Sequence, residues 1–160
     1  MEKPYLAGLL DGEGCIMIAK SKRQGKKNYE YCLRVFVSNS HLLGLQEVQK
    51  YFGGWLNEVK PDKNRFSQNR CWRLWWNGKS GANLLEQLKP YLVIKKRQAE
   101  LALQFAILRD RNPKDVNVLN VYYQEIAREK RVHLVPYNPQ RLSEETSSSV
   151  LEEAIVQTVT

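Results

Sequence analysis

The chain is poor in the residues that build soft metal sites and disulfides. It holds three cysteines and two histidines in 160 residues. Cys15, Cys32 and Cys71 lie far apart, and no CxxC pair or Cys/His cluster occurs. That excludes a structural zinc site of the usual spacing and a disulfide scaffold, and reducing, intracellular conditions fit best. Long apolar runs are absent too, so no transmembrane helix and no membrane partner are expected. No signal peptide is evident at the N-terminus. Acids are scarce: 17 Asp and Glu against 25 Lys and Arg give a net charge of +8. Four of those glutamates fall among residues 141–160 beside one arginine, so the first 140 residues carry +11. A polyanion, most often nucleic acid, is the partner such a balance suits.

What is present is a globular composition, 42% apolar and 26% charged, long enough for one core. Apolar spacing predicts a helix over 5–12, ended by Gly12 and Gly14. Strands are predicted over 15–20 and 29–38 around a basic turn, 21–28. A helix follows over 40–52, with Ser40 as its cap and Gly53-Gly54 as its stop. Strands 55–60 and 70–76 flank a polar loop. Helical patterns then cover 78–92, 94–108 and 113–128, and a last short helix is possible at 151–156. The expected fold class is α+β, with one four-stranded antiparallel sheet covered on one face by helices. The expected boundaries are a domain over 1–133 and a tail over 134–160.

Helices on one face leave the other face of the sheet to solvent or a ligand. Strand alternation puts Met17, Ala19, Ser21, Arg34, Asn57 and Arg73 there, with Lys22, Arg23, Lys26, Lys27, Arg65, Gln68 and Arg70 on the turns. This face is polar, basic and short of acids, as DNA contact requires, and hairpin tips extend it along a groove. An ordinary solvated face has the same composition. Trp55, Trp72, Trp75 and Trp76 are assigned mostly to core or hairpin packing, because duplex DNA offers no free base faces.

The stretch YLAGLLDGEG, residues 5–14, is harder to explain as packing alone. Gly8 and Gly12 sit one helical turn apart, where glycine costs about 1 kcal/mol relative to alanine. Close approach of a second helix compensates, and the natural partner is the same helix of a second copy. Leu6, Gly8, Leu9 and Gly12 are the expected contact residues. Asp11 and Glu13 would then meet their symmetry mates, and four crowded carboxylates need cations among them. Hard oxygen ligands select Mg²⁺ or a similar ion, and such ions beneath a DNA-binding sheet suit phosphodiester hydrolysis. A capped turn with solvated acids fits the same residues.

Leu6 through Gly14 resemble the LAGLIDADG motif of the homing endonucleases, with Leu10 for isoleucine, Gly12 for alanine and Glu13 for the last aspartate. VFVSNSHLLGLQEVQKYFGG (35–54) and KPYLVIKKRQAEL (89–101) are similar to later parts of that family, so the likeness covers about 4–108. A single motif resembles the homodimeric class. The resemblance implies an αββαββα saddle, a long pseudo-palindromic double-stranded DNA target, and cleavage across the minor groove to leave 3′ overhangs. It implies Mg²⁺ or Mn²⁺ held by Glu13 with help from the Gly12 carbonyl, and no small-molecule cofactor. Asp11 is expected to cap or orient the helix end, Lys95 to polarise water or stabilise phosphorane charge, and Asn39 to order waters. His41, or nothing, stands where the family often has a further basic residue. The family's hosts imply an organelle, chloroplast or mitochondrion, or a prokaryotic cytoplasm. An RNA maturase, a DNA-binding regulator of the same fold and a basic structural protein are the competing readings; metal dependence separates the enzyme from them.

Overall fold

The computed structural model describes residues 1–22, 29–59, 70–111 and 115–132. Five helices and four strands follow one another as α1 (Lys3–Glu13), β1 (Gly14–Lys22), β2 (Tyr29–Asn39), α2 (Leu42–Phe52), β3 (Trp55–Val59), β4 (Cys71–Asn77), α3 (Lys79–Leu88), α4 (Lys96–Arg111) and α5 (Val116–Val132), with a 3-10 turn at Lys89–Tyr91. The expected order is thus observed. The described fold up to Lys130 belongs to one compact unit, Met1–Lys130. The expected tail over 134–160, its helix at 151–156, and Arg23, Lys26, Lys27, Arg65 and Gln68 lie outside the described residues.

The sheet is antiparallel in the order β1-β2-β4-β3. Alternation along each strand sends Ile16, Ile18, Tyr31, Leu33, Val35, Val37, Leu74 and Trp76 into the core. There they meet Leu6, Leu10, Leu45, Leu85, Leu88, Leu101 and Phe105 from the helices. Trp76 also donates its indole N–H to the Phe52 carbonyl at 2.9 Å, so a core aromatic keeps its polar atom satisfied.

Three local expectations need correction. α1 runs through Gly12 and ends only at Gly14, whose N–H donates to the Leu10 carbonyl. A side chain at Gly14 would place its Cβ 2.6 Å from the Leu10 oxygen, so close backbone approach demands glycine there. The cap of α2 is His41 instead of Ser40, its Nδ1 accepting from the Gly44 N–H at 3.0 Å. Leu6 is 0% exposed and belongs to this chain's own core, so it is removed from the expected contact between copies. On α1 the inward positions are Leu6, Ala7, Leu10 and Asp11. The outward stripe is Tyr5, Gly8 and Gly12, with Leu9 half-buried beside it. Gly53 and Gly54 stop α2 at φ +64° and +103°, a region that favours glycine.

Candidate active site and nucleic-acid interface

Asp11 organises the site. Its carboxylate is 9% exposed and reaches the turn between α3 and α4. Oδ2 accepts from the Val93 and Ile94 N–H groups at 2.8 and 3.2 Å, and Oδ1 from the Lys95 N–H at 2.9 Å. It holds the turn that leads into α4, the last of its three donors being the residue just before that helix. Asp11 is expected to cap or orient the end of its own helix; its carboxylate instead holds backbone 82 to 84 residues away.

The same clamp delivers Lys95. Its ammonium donates to the Asp11 carbonyl oxygen, which turns the side chain toward the C-terminal end of α1. Burial pushes the Lys95 ammonium below its ordinary pKa, Asp11 and Cys15 oppose that shift, and Lys130 adds to it. Glu13, the last residue of α1, is exposed. Gly12 is exposed next to it. Asn39 ends β2 at the same end of the sheet, because Gly14 pairs with Val37. Its Oδ1 accepts from the His41 N–H at 2.8 Å, and His41 itself caps α2. Both side chains therefore have local structural partners.

The donors at the end of α1 fit a hard divalent ion. The Glu13 carboxylate and Gly12 carbonyl are hard oxygen donors at the negative end of a helix dipole and could serve such an ion. Among the described residues no cluster of three His, Cys, Asp or Glu could hold a metal alone. One chain therefore offers a partial set, and other oxygens, from a second copy, phosphate or water, must complete the shell.

The open face of the sheet begins beside this site. Register places Met17 opposite Arg34, Ala19 opposite Cys32, and Arg73 between Ser38 and Asn57. Ser21, Lys22, Arg34, Asn57 and Arg70 are exposed, while Met17, Ala19 and Arg73 are half-buried. Arg70 lies 3.6 Å from Glu58. Arg73 is held firmly: Nε donates to Ser38 Oγ at 2.9 Å, and the guanidinium lies 4.4 Å over Phe36 and 5.0 Å over Trp75. Trp75 in turn donates to Asn57 Oδ1 at 2.8 Å. Trp72 and Trp76 face the core, whereas Trp75 and the 72%-exposed Trp55 lie on the open face. Phe36, Ser38 and Trp75 lie on this face by the same alternation that places Arg34 and Arg73 there.

Lys130 and Cys15 meet near the same end of the sheet. Lys130 Nζ lies 3.0 Å from Cys15 Sγ, two residues beyond Glu13. No local pattern signals this contact, which spans 115 positions.

Comparison with known proteins gives a consistent answer. The sequence model of the LAGLIDADG endonucleases matches residues 6–108. The DNA endonuclease I-CvuI of Chlorella vulgaris is 32% identical over 119 residues, 72% of this chain and 69% of that protein. Its crystal structure with its target is similar at TM-score 0.68 and 25% identity, covering 79% of this chain and 80% of the other. The archaeal intron-encoded endonuclease I-Vdi141I in complex with DNA shares the fold at TM-score 0.67 and 14% identity, covering 79% and 82%. The homing endonuclease I-TnaI does so at TM-score 0.62 and 18% identity, covering 90% and 95%. By the motif, the matched sequence and the fold, this chain belongs to the LAGLIDADG endonuclease family.

Proposed function

We propose that this chain is a site-specific endonuclease that hydrolyses both strands of a long pseudo-palindromic DNA site as a homodimer, using Mg²⁺ or Mn²⁺. The observation that carries the reading is that Lys95 is held on the Asp11 carbonyl, two residues from an exposed Glu13, at the edge of a basic sheet face. Glu13 and the Gly12 carbonyl would hold the ion, which supplies charge stabilisation at the phosphate. Lys95 presents a fixed positive charge to the phosphorane and to the attacking water. Asp11 holds that lysine and the start of α4. The open face docks in the major groove, where Arg34, Asn57 and Arg73 reach base edges and Lys22 and Arg70 reach phosphates.

Support for the homodimer comes from α1. A Cβ at Gly8 or Gly12 would meet nothing within 4 Å, so both face open space. Tyr5 is 56% exposed on the same stripe, and Val93 and Ile94, bound through Asp11, are 83% and 55% exposed nearby. A second α1 packed there covers the glycines, buries this apolar surface and brings two Glu13 carboxylates toward one axis. Cuts on the two strands across the minor groove then leave 3′ overhangs. The three free, half-buried cysteines accord with a reducing compartment, organellar or prokaryotic.

The test is a cleavage selection on a randomised duplex library with Mg²⁺, with Ca²⁺ and with EDTA. The expected result is enrichment of one pseudo-palindromic site in Mg²⁺ only. Binding without cutting in every divalent metal would move the function to a maturase or regulator.

A further inference from the structure

The family match ends at residue 108, yet a helix beyond it returns to the catalytic end of the sheet. α5 is anchored to the domain along its length. Leu119 and Ile126 are buried in the core. Asn120 Oδ1 accepts from both Lys20 Nζ and the Tyr31 hydroxyl at 2.9 Å. The Tyr123 ring packs edge-on against Tyr31 at 6.1 Å. Near its end α5 carries Lys130, half-buried, with Nζ 3.0 Å from Cys15 Sγ. A thiol is a weak acceptor and a poor sole partner for an ammonium group.

The electrostatics around this lysine are unfinished. Lys130 lies close enough to Lys95 to help push the Lys95 ammonium below its usual pKa. Both oxygens of the buried Asp11 carboxylate are already committed to backbone N–H groups. Among the described residues neither lysine makes a salt bridge. Among the described residues the only carboxylate acting on this pair is Asp11, already committed to backbone, and two neighbouring ammonium groups so placed make a site for an anion. Beside Glu13, on a protein that binds DNA, the fitting anion is a phosphodiester.

We propose that Lys130 is a second lysine of the catalytic centre, contacting a non-bridging oxygen of the phosphodiester being cut. The inference rests on the nuclease reading above. In the reaction one phosphorus–oxygen bond forms from water and one to the sugar breaks. The water loses a proton to solvent, and the departing sugar oxygen ends protonated. Lys130 keeps its proton throughout and acts as a fixed charge where negative charge accumulates. α5 is then a catalytic element as well as a packing element.

The experiment uses the full chain and the duplex that wild type selects. Single-turnover cleavage at saturating protein in Mg²⁺ is compared with binding affinity in Ca²⁺ for wild type, Lys130→Met, Lys130→Gln and Lys130→Arg. The two neutral variants are expected to cut about 10- to 100-fold more slowly. Their affinity should change by less than about fivefold, the salt slope falling by about 0.9 per lost phosphate contact. Arginine should recover most of the rate. Wild-type cleavage rates in both neutral variants would overturn the proposal. So would an equal loss of rate and affinity that arginine does not repair, or misfolding of both neutral variants in thermal melts, because Lys130 would then be a packing residue. Failure of wild type itself to cut would instead refute the nuclease reading.

Discussion

Asp11 and Glu13 are separated by one residue, yet the structure gives them opposite burdens. Asp11 is buried and accepts three backbone hydrogen bonds from Val93, Ile94 and Lys95. Substitution Asp11→Ala leaves three donors at the head of α4 without partners. A hydrogen bond to a charged group contributes about 1.5–3 kcal/mol, and one residue removed from a shared network loses less than the sum. A loss of about 3–4 kcal/mol is therefore expected, against a typical domain stability of about 5–15 kcal/mol. At about 3–4 °C per kcal/mol for a chain of this size, the melting temperature should fall by about 10–15 °C. Asp11→Asn keeps one oxygen but turns an NH₂ group toward a donor, so about half that loss is expected. Glu13→Gln alters an exposed end of α1 and should stay within about 2 °C of wild type. Thermal denaturation followed by circular dichroism, in EDTA, reads all three. Melting of Asp11→Ala within about 3 °C of wild type would refute the clamp. So would a Glu13→Gln protein less stable than Asp11→Ala.

Three further outcomes are expected. Gly8→Leu should give a folded monomer, since a Cβ at Gly8 meets nothing within 4 Å in one chain; size-exclusion chromatography with light scattering reads it, and a stable dimer would contradict the helix-pair interface. Lys95→Met should abolish cleavage without lowering the melting temperature at pH 7. Lys95 titrates below its unfolded value, chiefly through burial, so the folded state holds its proton less tightly. Stability should therefore rise with pH through the window just below pH 10.5 in wild type and lose that rise in the variant, as denaturant titrations at pH 8 to 10 would show. Arg73→Gln should relax base preference at one position in each half-site, at a cost of about 1–3 kcal/mol for the preferred base, while other positions keep theirs; uniform weakening at every position would assign Arg73 to packing or phosphate contact.

Much of this organisation was legible because it is periodic. Tyr31, Leu33, Val35 and Val37 alternate with Cys32, Arg34 and Phe36, and that parity alone separates core from open face. Gly53-Gly54 stops α2 through backbone conformation, a property written in the residue type. The family resemblance singles out Glu13 through the motif and Lys95 through the segment 89–101, and the fold brings Lys95 to the end of α1 that Glu13 finishes. Leu6 was misassigned because leucines at 6, 9 and 10 spread around the helix; the i, i+4 pair Leu6 and Leu10 points inward, and the stripe of Tyr5, Gly8 and Gly12 points out. Ser40 is the expected cap of α2, but the helix starts one residue further on and His41 takes that place, which backbone geometry decides. The partners of Asp11 and the position of Lys130 depend on how distant helices return to the sheet, and no local pattern encodes that.

The central claim is that a carboxylate at the end of α1 is required for cutting DNA and not for holding it. The direct measurement compares wild type with Glu13→Gln on the duplex recovered by selection, following binding in Ca²⁺ and strand cleavage in Mg²⁺. The account predicts equal binding within about threefold and cleavage lowered by at least about 10²-fold in the variant. A Glu13→Gln protein that cuts at the wild-type rate, or one that folds but no longer binds the duplex, would contradict it.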